Sequence, residues 1–415
     1  MELLQDTKIE VKMHGSIADV DKLFSPISIR AKCNEIFQLA SHGETHFKIN
    51  FQKLNEVVQY VSQITLNNYP TLNIPFHSQW THFQTGKINR MLEFQEKVES
   101  LSLHEVTKAK LAFIIISILL EGTAGLRWRY REDKKEYSRS EGQAIACLRM
   151  FMSGLFSSDP LHPLKVDAKK LRELTLTDLE KGFQSCENNM LSNLEFRLNL
   201  LHKLGAILQQ SSEFFGSQNP GLGNILEFLL ELSSQNQDKL TAPQILYTVQ
   251  KSLGSLWQGK VELAGINLGD VSIYKPLGEG IFSLVPFHRL SQWLTYSLLE
   301  PLAEHGLIIA EIDQLTGLAE YRNGGLLLDS GLLELKDPAL KEVAHQEQSE
   351  IIVEWRALTV ALLDELGKAV AQKLGKLPTE FPLVRVLEGG TWHAGRALAQ
   401  KLREDGSPPL RVLRN

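Results

Sequence analysis

The chain has 415 residues, of which 43% are hydrophobic and 22% are charged, an ordinary composition for a globular protein with a large core. Its 44 basic and 49 acidic residues give a formal net charge of −5, which argues against nucleic-acid binding because such proteins usually carry a basic excess or stripe. The cysteines at 33, 147 and 186 are far apart and odd in number, so we expect no disulfide framework and a reducing, cytoplasmic location.

Neither the N-terminus nor the most apolar run of the chain predicts a membrane segment. Met1 to Lys12 mixes acids and bases and lacks the apolar stretch of a signal peptide. The most apolar run, Leu111 to Leu120, is shorter than the roughly 20 residues that cross a bilayer. We therefore expect a buried helix there and no membrane partner, while the oligomeric state stays open.

Helical periodicity dominates the chain from Ile17 onwards, after an N-terminal arm over residues 1–16 that we expect to be loosely ordered. Two stretches, 127–139 and 261–274, instead alternate around turn residues and predict short β-hairpins, the second turning near residues 268–270. The clearest predicted helices lie at 106–121, 286–302, 349–374 and 388–404. The alternating pattern of a doubly wound sheet is absent. The sequence thus predicts a mainly α protein, with residues 17–415 forming one compact domain in two lobes, roughly 17–250 and 251–415.

A polar cluster between apolar flanks marks the stretch from Leu315 to Leu333. Glu320, Tyr321, Arg322 and Asn323 follow one another, and Gly324-Gly325 comes directly after them. The glycine pair predicts a tight turn between two helices, with Gly331 ending the second. Glu320 then either faces a substrate or forms an exposed pair with Arg322, and the sequence leaves both interpretations open.

The last predicted helix offers a candidate anion site. Gly389-Gly390 precede Thr391, a good N-cap, and a helix that starts there would present free N–H groups and a positive dipole. Arg396 lies one turn further, near Trp392. The alternative is an ordinary capped helix whose tryptophan belongs to the core.

Other motifs argue against several chemistries. Residues 254–261 nearly match a phosphate-binding loop, but Val261 stands where a magnesium-holding Ser or Thr belongs. No zinc-protease motif, paired-cysteine spacing or serine-hydrolase elbow occurs. We therefore expect neither a metal nor another cofactor. The loop 75–83, rich in aromatic residues and imidazoles, either lines a pocket or packs on the core.

Seven segments along the chain share one family resemblance: 69–83, 128–132, 139–142, 285–297, 315–333, 353–360 and 387–392. They resemble the uracil-catabolism protein four family, domain-of-unknown-function proteins of fungi and bacteria. The stretch 315–322 also resembles, more weakly, the queuosine-salvage glycohydrolases, which are related to helix-rich DNA glycosylases and carry Asp where this chain has Glu320.

These resemblances imply a DNA-glycosylase-like helical core and an N-glycosidic hydrolase of pyrimidine breakdown, which releases urea from ribosylurea or its phosphate. Glu320 would stabilise the positive charge on the sugar, and Glu388 would orient water or hold ribose hydroxyls. The rival hypotheses are a non-catalytic metabolite-binding or scaffolding protein and an amidohydrolase that cuts the urea group. The only partner expected is a small nucleoside-like or nucleotide-like substrate, and the candidate substrate-binding residues are Arg322, Tyr321, Asn323, Trp392, Arg396, Gly390, Trp293, His288, His77 and Glu141. Among these, Arg322 and Arg396 would grip a phosphate, and His288 or Glu141 would protonate the leaving group.

Overall fold

The computed structural model describes residues 11–125, 127–257 and 259–413. These residues fall into two compact units that interleave along the chain. Within the described part, unit 1 contains residues 78–125, 127–257 and 293–310, and unit 2 contains residues 11–77, 259–292 and 311–413. The predicted lobes are contiguous stretches and so differ from these units. That residues 17–415 form a single domain remains a prediction.

Helices dominate both units, which confirms the mainly α prediction. In the first part of unit 2 they are α1 (Ile17–Leu23), α2 (Pro26–Ser41) and α3 (Leu54–Asn68). In unit 1 they are α4 (Arg90–Val98), α5 (Leu103–Leu120), α6 (Arg139–Met152), α7 (Ala168–Glu173), α8 (Leu176–Gly182), α9 (Leu194–Gln210), α10 (Ser212–Phe215), α11 (Ile225–Ser234) and α12 (Ala242–Leu253). After α13 (Arg289–Glu304), unit 2 continues with α14 (Tyr321–Asp329), α15 (Glu350–Lys373), α16 (Leu383–Val386) and α17 (Trp392–Leu402), and a π-helical turn, Leu387–Thr391, joins the last two.

The strands are two or three residues long, and several of the pairs join segments that are far apart in the sequence. They are β1 (Val11–Met13), β2 (Phe47–Ile49), β3 (Tyr130–Glu132), β4 (Lys135–Tyr137), β5 (Lys239–Thr241), β6 (Val261–Leu263), β7 (Ile266–Asn267), β8 (Val271–Ile273), β9 (Leu284–Pro286), β10 (Ile308–Ala310), β11 (Leu333–Leu335), β12 (Ala344–Gln346) and β13 (Arg411–Leu413). One three-stranded sheet has the order β1-β6-β7, and the two-stranded sheets are β10-β5, β11-β2, β12-β13, β3-β4 and β8-β9.

Helix α5 lies at the centre of unit 1, as its apolar sequence predicts. Ser102 caps its start by accepting a hydrogen bond from the Glu105 backbone N–H, and the Glu105 carboxylate accepts one from the Ser102 N–H in return. All residues from Leu111 to Leu120 are buried, with no polar face left for solvent. A helix that is apolar all round must be enclosed by other elements, and α6 and α11 pack against it.

Helix α15 lies at the centre of unit 2, where α2, α3, α14 and α16 pack against it. Its bounds match the predicted amphipathic helix at 349–374. Every residue from Ile351 to Leu363 except Arg356 is buried, so burial in this part of α15 is not confined to one stripe, and its apolar side chains form one core with those of the neighbouring helices. This core fixes the positions of the two helices that carry the candidate site, α14 and α17.

The hairpin prediction is correct for the first stretch and partly wrong for the second. Strands β3 and β4 pair in antiparallel register around a turn at Asp133, which has φ +53°. In the second stretch, β6 turns at Ala264-Gly265, both with positive φ, and pairs with β7. Strand β8 pairs with β9 instead. Gly269 does not form the hairpin turn, because the Asn267 side chain accepts hydrogen bonds from the N–H groups of Gly259 and Gly269 and closes a separate loop.

The predicted arm is not loosely ordered over its described part. Val11–Met13 forms a strand that pairs in parallel with Val261–Leu263. Ser16 caps α1 by accepting from the Asp19 N–H at 3.2 Å. Residues 1–10 of the predicted arm lie outside the described residues.

Candidate active site at helices α14 and α17

Glu320 is the N-cap of α14. Its Oε2 accepts a hydrogen bond from the Arg322 backbone N–H at 2.7 Å, and its Oε1 accepts one from the Asn323 N–H at 2.8 Å. The carboxylate therefore satisfies two of the N–H groups that every helix start leaves open. The pairing of the Glu320 and Arg322 side chains that the sequence left open does not occur, since the Arg322 guanidinium donates to the Gly406 carbonyl instead.

The turn predicted at Gly324-Gly325 is wrong, because both glycines lie inside α14. A Cβ on Gly324 would lie 2.9 Å from the indole of Trp355 and from Thr359 Oγ1. The Trp355 Nε1–H donates to the Gly324 carbonyl at 3.0 Å. This glycine thus allows α14 to approach α15 closely. The predicted helix end is confirmed, since Gly331 follows the last turn with φ +74°.

The surroundings of Glu320 perturb its acidity. Burial raises the pKa of the half-buried Glu320 carboxyl above its ordinary value of 4.5, although the two backbone N–H donors and the nearby charges of His77 and Arg289 act in the opposite direction. A carboxyl whose pKa is displaced by burial, and which has charged groups nearby, is typical of functional sites.

The second predicted carboxylate, Glu388, lies in the π-helical turn and is 6% exposed. His77 Nδ1 lies 2.7 Å from Glu388 Oε2, and the Tyr69 hydroxyl donates to Oε1 at 3.3 Å. The His77 backbone N–H donates to the Val384 carbonyl, which ties the loop to α16. An imidazole paired with a buried carboxylate has a fixed ring orientation, which suits proton transfer.

The predicted helix start at Thr391 is wrong. The chain is helical from Leu383 through the π turn to Leu402, and Thr391 has helical φ and ψ with no side-chain cap. Gly389 and Gly390 serve packing, since a Cβ on Gly390 would lie 2.5 Å from Thr65 Oγ1 of α3. The N–H groups at this point belong to a continuous helix, so the proposed anion site loses its helix-end donors. Single π-helical turns such as Leu387–Thr391 often occur at functional sites.

Aromatic and cationic groups surround the paired carboxylate. The Trp392 ring lies 6.4 Å from that of His77 and 5.2 Å from that of His393. Arg396, which is exposed, places its guanidinium 5.7 Å from the Trp392 ring. Burial lowers the pKa of His393, with Glu388 opposing the shift.

The structure brings some predicted site residues together and places others elsewhere. Glu320, Glu388, His77, Trp392 and Arg396 belong to one neighbourhood of unit 2, which Gly390 supports through packing. Arg322 and Asn323 are buried in the first turn of α14, where Arg322 Nε and both amide atoms of Asn323 have no hydrogen-bond partner within the described part. Tyr321 is 44% exposed, with the Arg322 guanidinium 5.0 Å from its ring.

Three other predicted site residues, His288, Glu141 and Trp293, have placements of their own. His288 is buried and its Nε2 donates to the Leu23 carbonyl at 2.9 Å, so its ring serves as a structural link. Burial also lowers the pKa of His288. Glu141 lies in the first turn of α6 and Trp293 lies in α13, both within unit 1.

Sequence reasoning missed Tyr69, His393 and Arg289 as members of the neighbourhood. Tyr69 entered the sequence analysis only as part of the resembling segment 69–83, with no role of its own, and His393 stands directly after the predicted Trp392. Arg289 begins α13, far from Glu320 in sequence. Only the fold could have indicated that these three contribute.

Two kinds of feature are absent from the described residues. No group of three or more His, Cys, Asp or Glu side chains there is arranged as a metal site. None of the described helices combines the length and apolarity needed to cross a bilayer.

Comparison with known proteins gives a consistent result over nearly the whole chain. The family described as "Protein of unknown function (DUF1688)" matches residues 22–415. The chain is 37% identical over 412 residues to "Protein urg3" of Schizosaccharomyces pombe (strain 972 / ATCC 24843), covering 95% of this chain and 98% of that protein. It is 34% identical over 425 residues to "Uracil catabolism protein 4" of Lachancea kluyveri, covering 93% and 95%. The chain therefore belongs to the DUF1688 family.

Proposed function

We propose that this protein is an N-glycosidic hydrolase of uracil catabolism that releases urea from ribosylurea or ribosylurea 5′-phosphate. The name of the Lachancea relative supports the pathway. The observation that carries the reaction type is the presence of two differently held carboxyl groups in one neighbourhood. Glu320 accepts two backbone N–H groups at a helix start, and Glu388 is bonded to His77, which is near enough to Glu320 to interact with it electrostatically.

Cleavage of the bond between C1′ and nitrogen builds positive charge on the ribose. An ionised Glu320 can stabilise that charge, as the carboxylates of glycosidases do. Its two backbone donors hold the carboxylate in place before the reaction, so little reorganisation is needed. Glu320 is thus assigned the role of electrostatic stabiliser or nucleophile.

The departing urea nitrogen takes the electron pair of the broken bond and needs a proton. One water molecule balances the reaction: its hydroxyl group bonds to C1′, and its remaining proton is transferred to the urea nitrogen. The His77–Glu388 pair is assigned the proton transfer, because Glu388 can stabilise the imidazolium that forms. This role replaces the one expected of His288 and Glu141.

The half-buried Trp392 and the exposed Arg396 are assigned the binding of the rest of the substrate molecule. An indole beside a guanidinium suits a planar ureido group or a sugar phosphate. Because the backbone offers no helix start here, a phosphate would depend on Arg396 itself. We expect Arg396→Ala to weaken binding of the phosphorylated substrate by at most about 1.5–3 kcal/mol, the range for a charged hydrogen bond. Binding of ribosylurea should not change.

The test is to incubate purified protein with ribosylurea and with its 5′-phosphate and to measure free urea, ribose and ribose 5-phosphate. Equal amounts of urea and sugar support the proposal, and the Glu320→Gln variant serves as the background control. Release of ammonia without urea would assign the amidohydrolase reaction instead. Binding of either compound without turnover would assign a metabolite-binding protein.

A further inference from the structure

A second group of polar side chains lies within unit 1 and takes no part in the proposed reaction. Glu121, the C-cap of α5, is 8% exposed. No Lys or Arg side chain forms an ion pair with it in the part of the chain that the structure describes. Arg197 is near enough to interact electrostatically, but it donates to the Leu120 carbonyl and to Gln143 Oε1. Burial of a carboxylate without a direct cationic partner is costly, so such a group needs an explanation.

Gln79 fixes the orientation of this carboxylate. The fully buried Gln79 receives a hydrogen bond from the Trp293 Nε1–H at its Oε1, at 3.2 Å, and its Nε2 donates to Glu121 Oε2 at 2.8 Å. The Gln79 Nε2 also donates to Ser117 Oγ, and the Gln79 backbone N–H donates to Ser297 Oγ. The amide is thus fully engaged, and Glu121 Oε2 is held in one place. The other oxygen, Oε1, accepts no hydrogen bond from the described residues.

His82 faces the same carboxylate without bonding to it. Its Nδ1 lies 3.8 Å from Glu121 Oε2, beyond hydrogen-bond distance, and this buried nitrogen has no partner within the described part. The His82 ring lies 6.2 Å from the half-buried Trp293 ring at an interplanar angle of 41°. The Glu121 carboxylate, the His82 imidazole and the Trp293 ring therefore lie next to one another, with Gln79 bonded to both Glu121 and Trp293.

We propose that Glu121, His82 and Trp293 form a binding site for a small planar group that carries N–H donors, of the ureido or guanidino class. Glu121 Oε1 accepts the ligand N–H, His82 Nδ1 provides the second polar contact, and the Trp293 ring packs against the planar face. A planar N–H donor meets all three requirements, whereas an anion would be repelled by Glu121. The site does not depend on the reaction proposed for Glu320.

The test uses N-methylurea and methylguanidinium as probes in ligand-observed NMR titrations of the full chain. Both probes are expected to bind. Glu121→Gln should weaken methylguanidinium about tenfold or more, the effect of losing one charged acceptor, and should weaken methylurea less, because a Gln carbonyl still accepts from a neutral N–H. His82→Asn should weaken both.

Glu195→Gln, an exposed change in α9 of the same unit, is the matched control and should leave both affinities unchanged. The Gln variant at position 121 should fold, since its carbonyl can still accept from Gln79. Its melting temperature should hold or rise, because a buried charge with no directly bonded Lys or Arg is removed. Unchanged probe affinities in Glu121→Gln and His82→Asn, or no binding to the unmodified protein, would overturn the proposal.

Discussion

Glu320 offers the sharpest test because the structure gives it two separable duties. As the N-cap of α14, its carboxylate accepts two backbone N–H groups at 2.7 and 2.8 Å. As the proposed stabiliser of the sugar cation, it must also carry a negative charge. Replacements can remove the charge, the cap or both.

Glu320→Gln removes the charge and one of the two cap acceptors. Loss of an N-cap costs about 0.5–2 kcal/mol, so we expect the lower half of that range here. The melting temperature should fall by a few degrees, since about 1 kcal/mol shifts a domain of 150–250 residues by about 2–4 °C. If the charge acts on the transition state, kcat should fall by about 10²–10³ with little change in KM.

Glu320→Ser separates the duties, because serine is a good N-cap but carries no charge. We expect its stability to stay within about 0.5 kcal/mol of the original protein, which is the scatter of neutral substitutions, while turnover is lost as in the Gln variant. Glu320→Asp keeps both charge and cap acceptors and should retain part of the activity.

The assays are urea release from ribosylurea and thermal unfolding, performed on the same preparations. A Ser variant with full turnover would refute the catalytic assignment and leave Glu320 as a helix cap only. Loss of turnover that merely follows loss of stability across the three variants would have the same meaning.

Four further predictions concern the same neighbourhood. The raised pKa of Glu320 places the acid limb of kcat/KM above pH 4.5, and Arg289→Gln should move that limb to higher pH, because Arg289 lowers this pKa; a limb that does not move would contradict the assignment. The same raised pKa means that the folded state binds more protons than the unfolded state just above pH 4.5. In that pH window Glu320 therefore makes the free energy of unfolding rise as pH falls. Denaturant titrations of the Glu320→Ser variant should lack this contribution. His77→Gln should lower kcat by about 10²–10⁴, the usual contribution of a general acid or base, and a bell-shaped profile that survives unchanged would exclude the residue. Gly390→Ala should destabilise the protein by about 1–3 kcal/mol through overpacking, whereas Gly254→Ala, whose Cβ would meet nothing within 4 Å, should be neutral or stabilising in the same urea-unfolding experiment.

The sequence by itself determined the elements that depend on local patterning. The mainly α class, the apolar helix α5, the amphipathic helix α15 and the β3–β4 hairpin follow from hydrophobic periodicity and turn residues, which act over a few neighbouring positions. Glu320 and Glu388 were chosen as candidates from the polar cluster, the glycine pair and the family resemblance.

Tertiary structure decided what the glycine pairs do. From sequence, Gly324-Gly325 and Gly389-Gly390 both predicted breaks, because glycine favours turns. In the fold, both pairs continue helices, since Gly324 meets Trp355 and Gly390 meets Thr65 at distances that exclude a Cβ. No local pattern distinguishes a glycine that turns the chain from one that lets two helices touch.

Tertiary structure also decided which polar residues work together. His77 and Glu388 lie 311 positions apart in sequence, and Gln79 and Trp293 lie 214 positions apart. Their pairing depends on how helices pack, which is set by apolar contacts distributed over a whole unit. The sequence therefore supplied the chemical groups, and packing alone selected their partners.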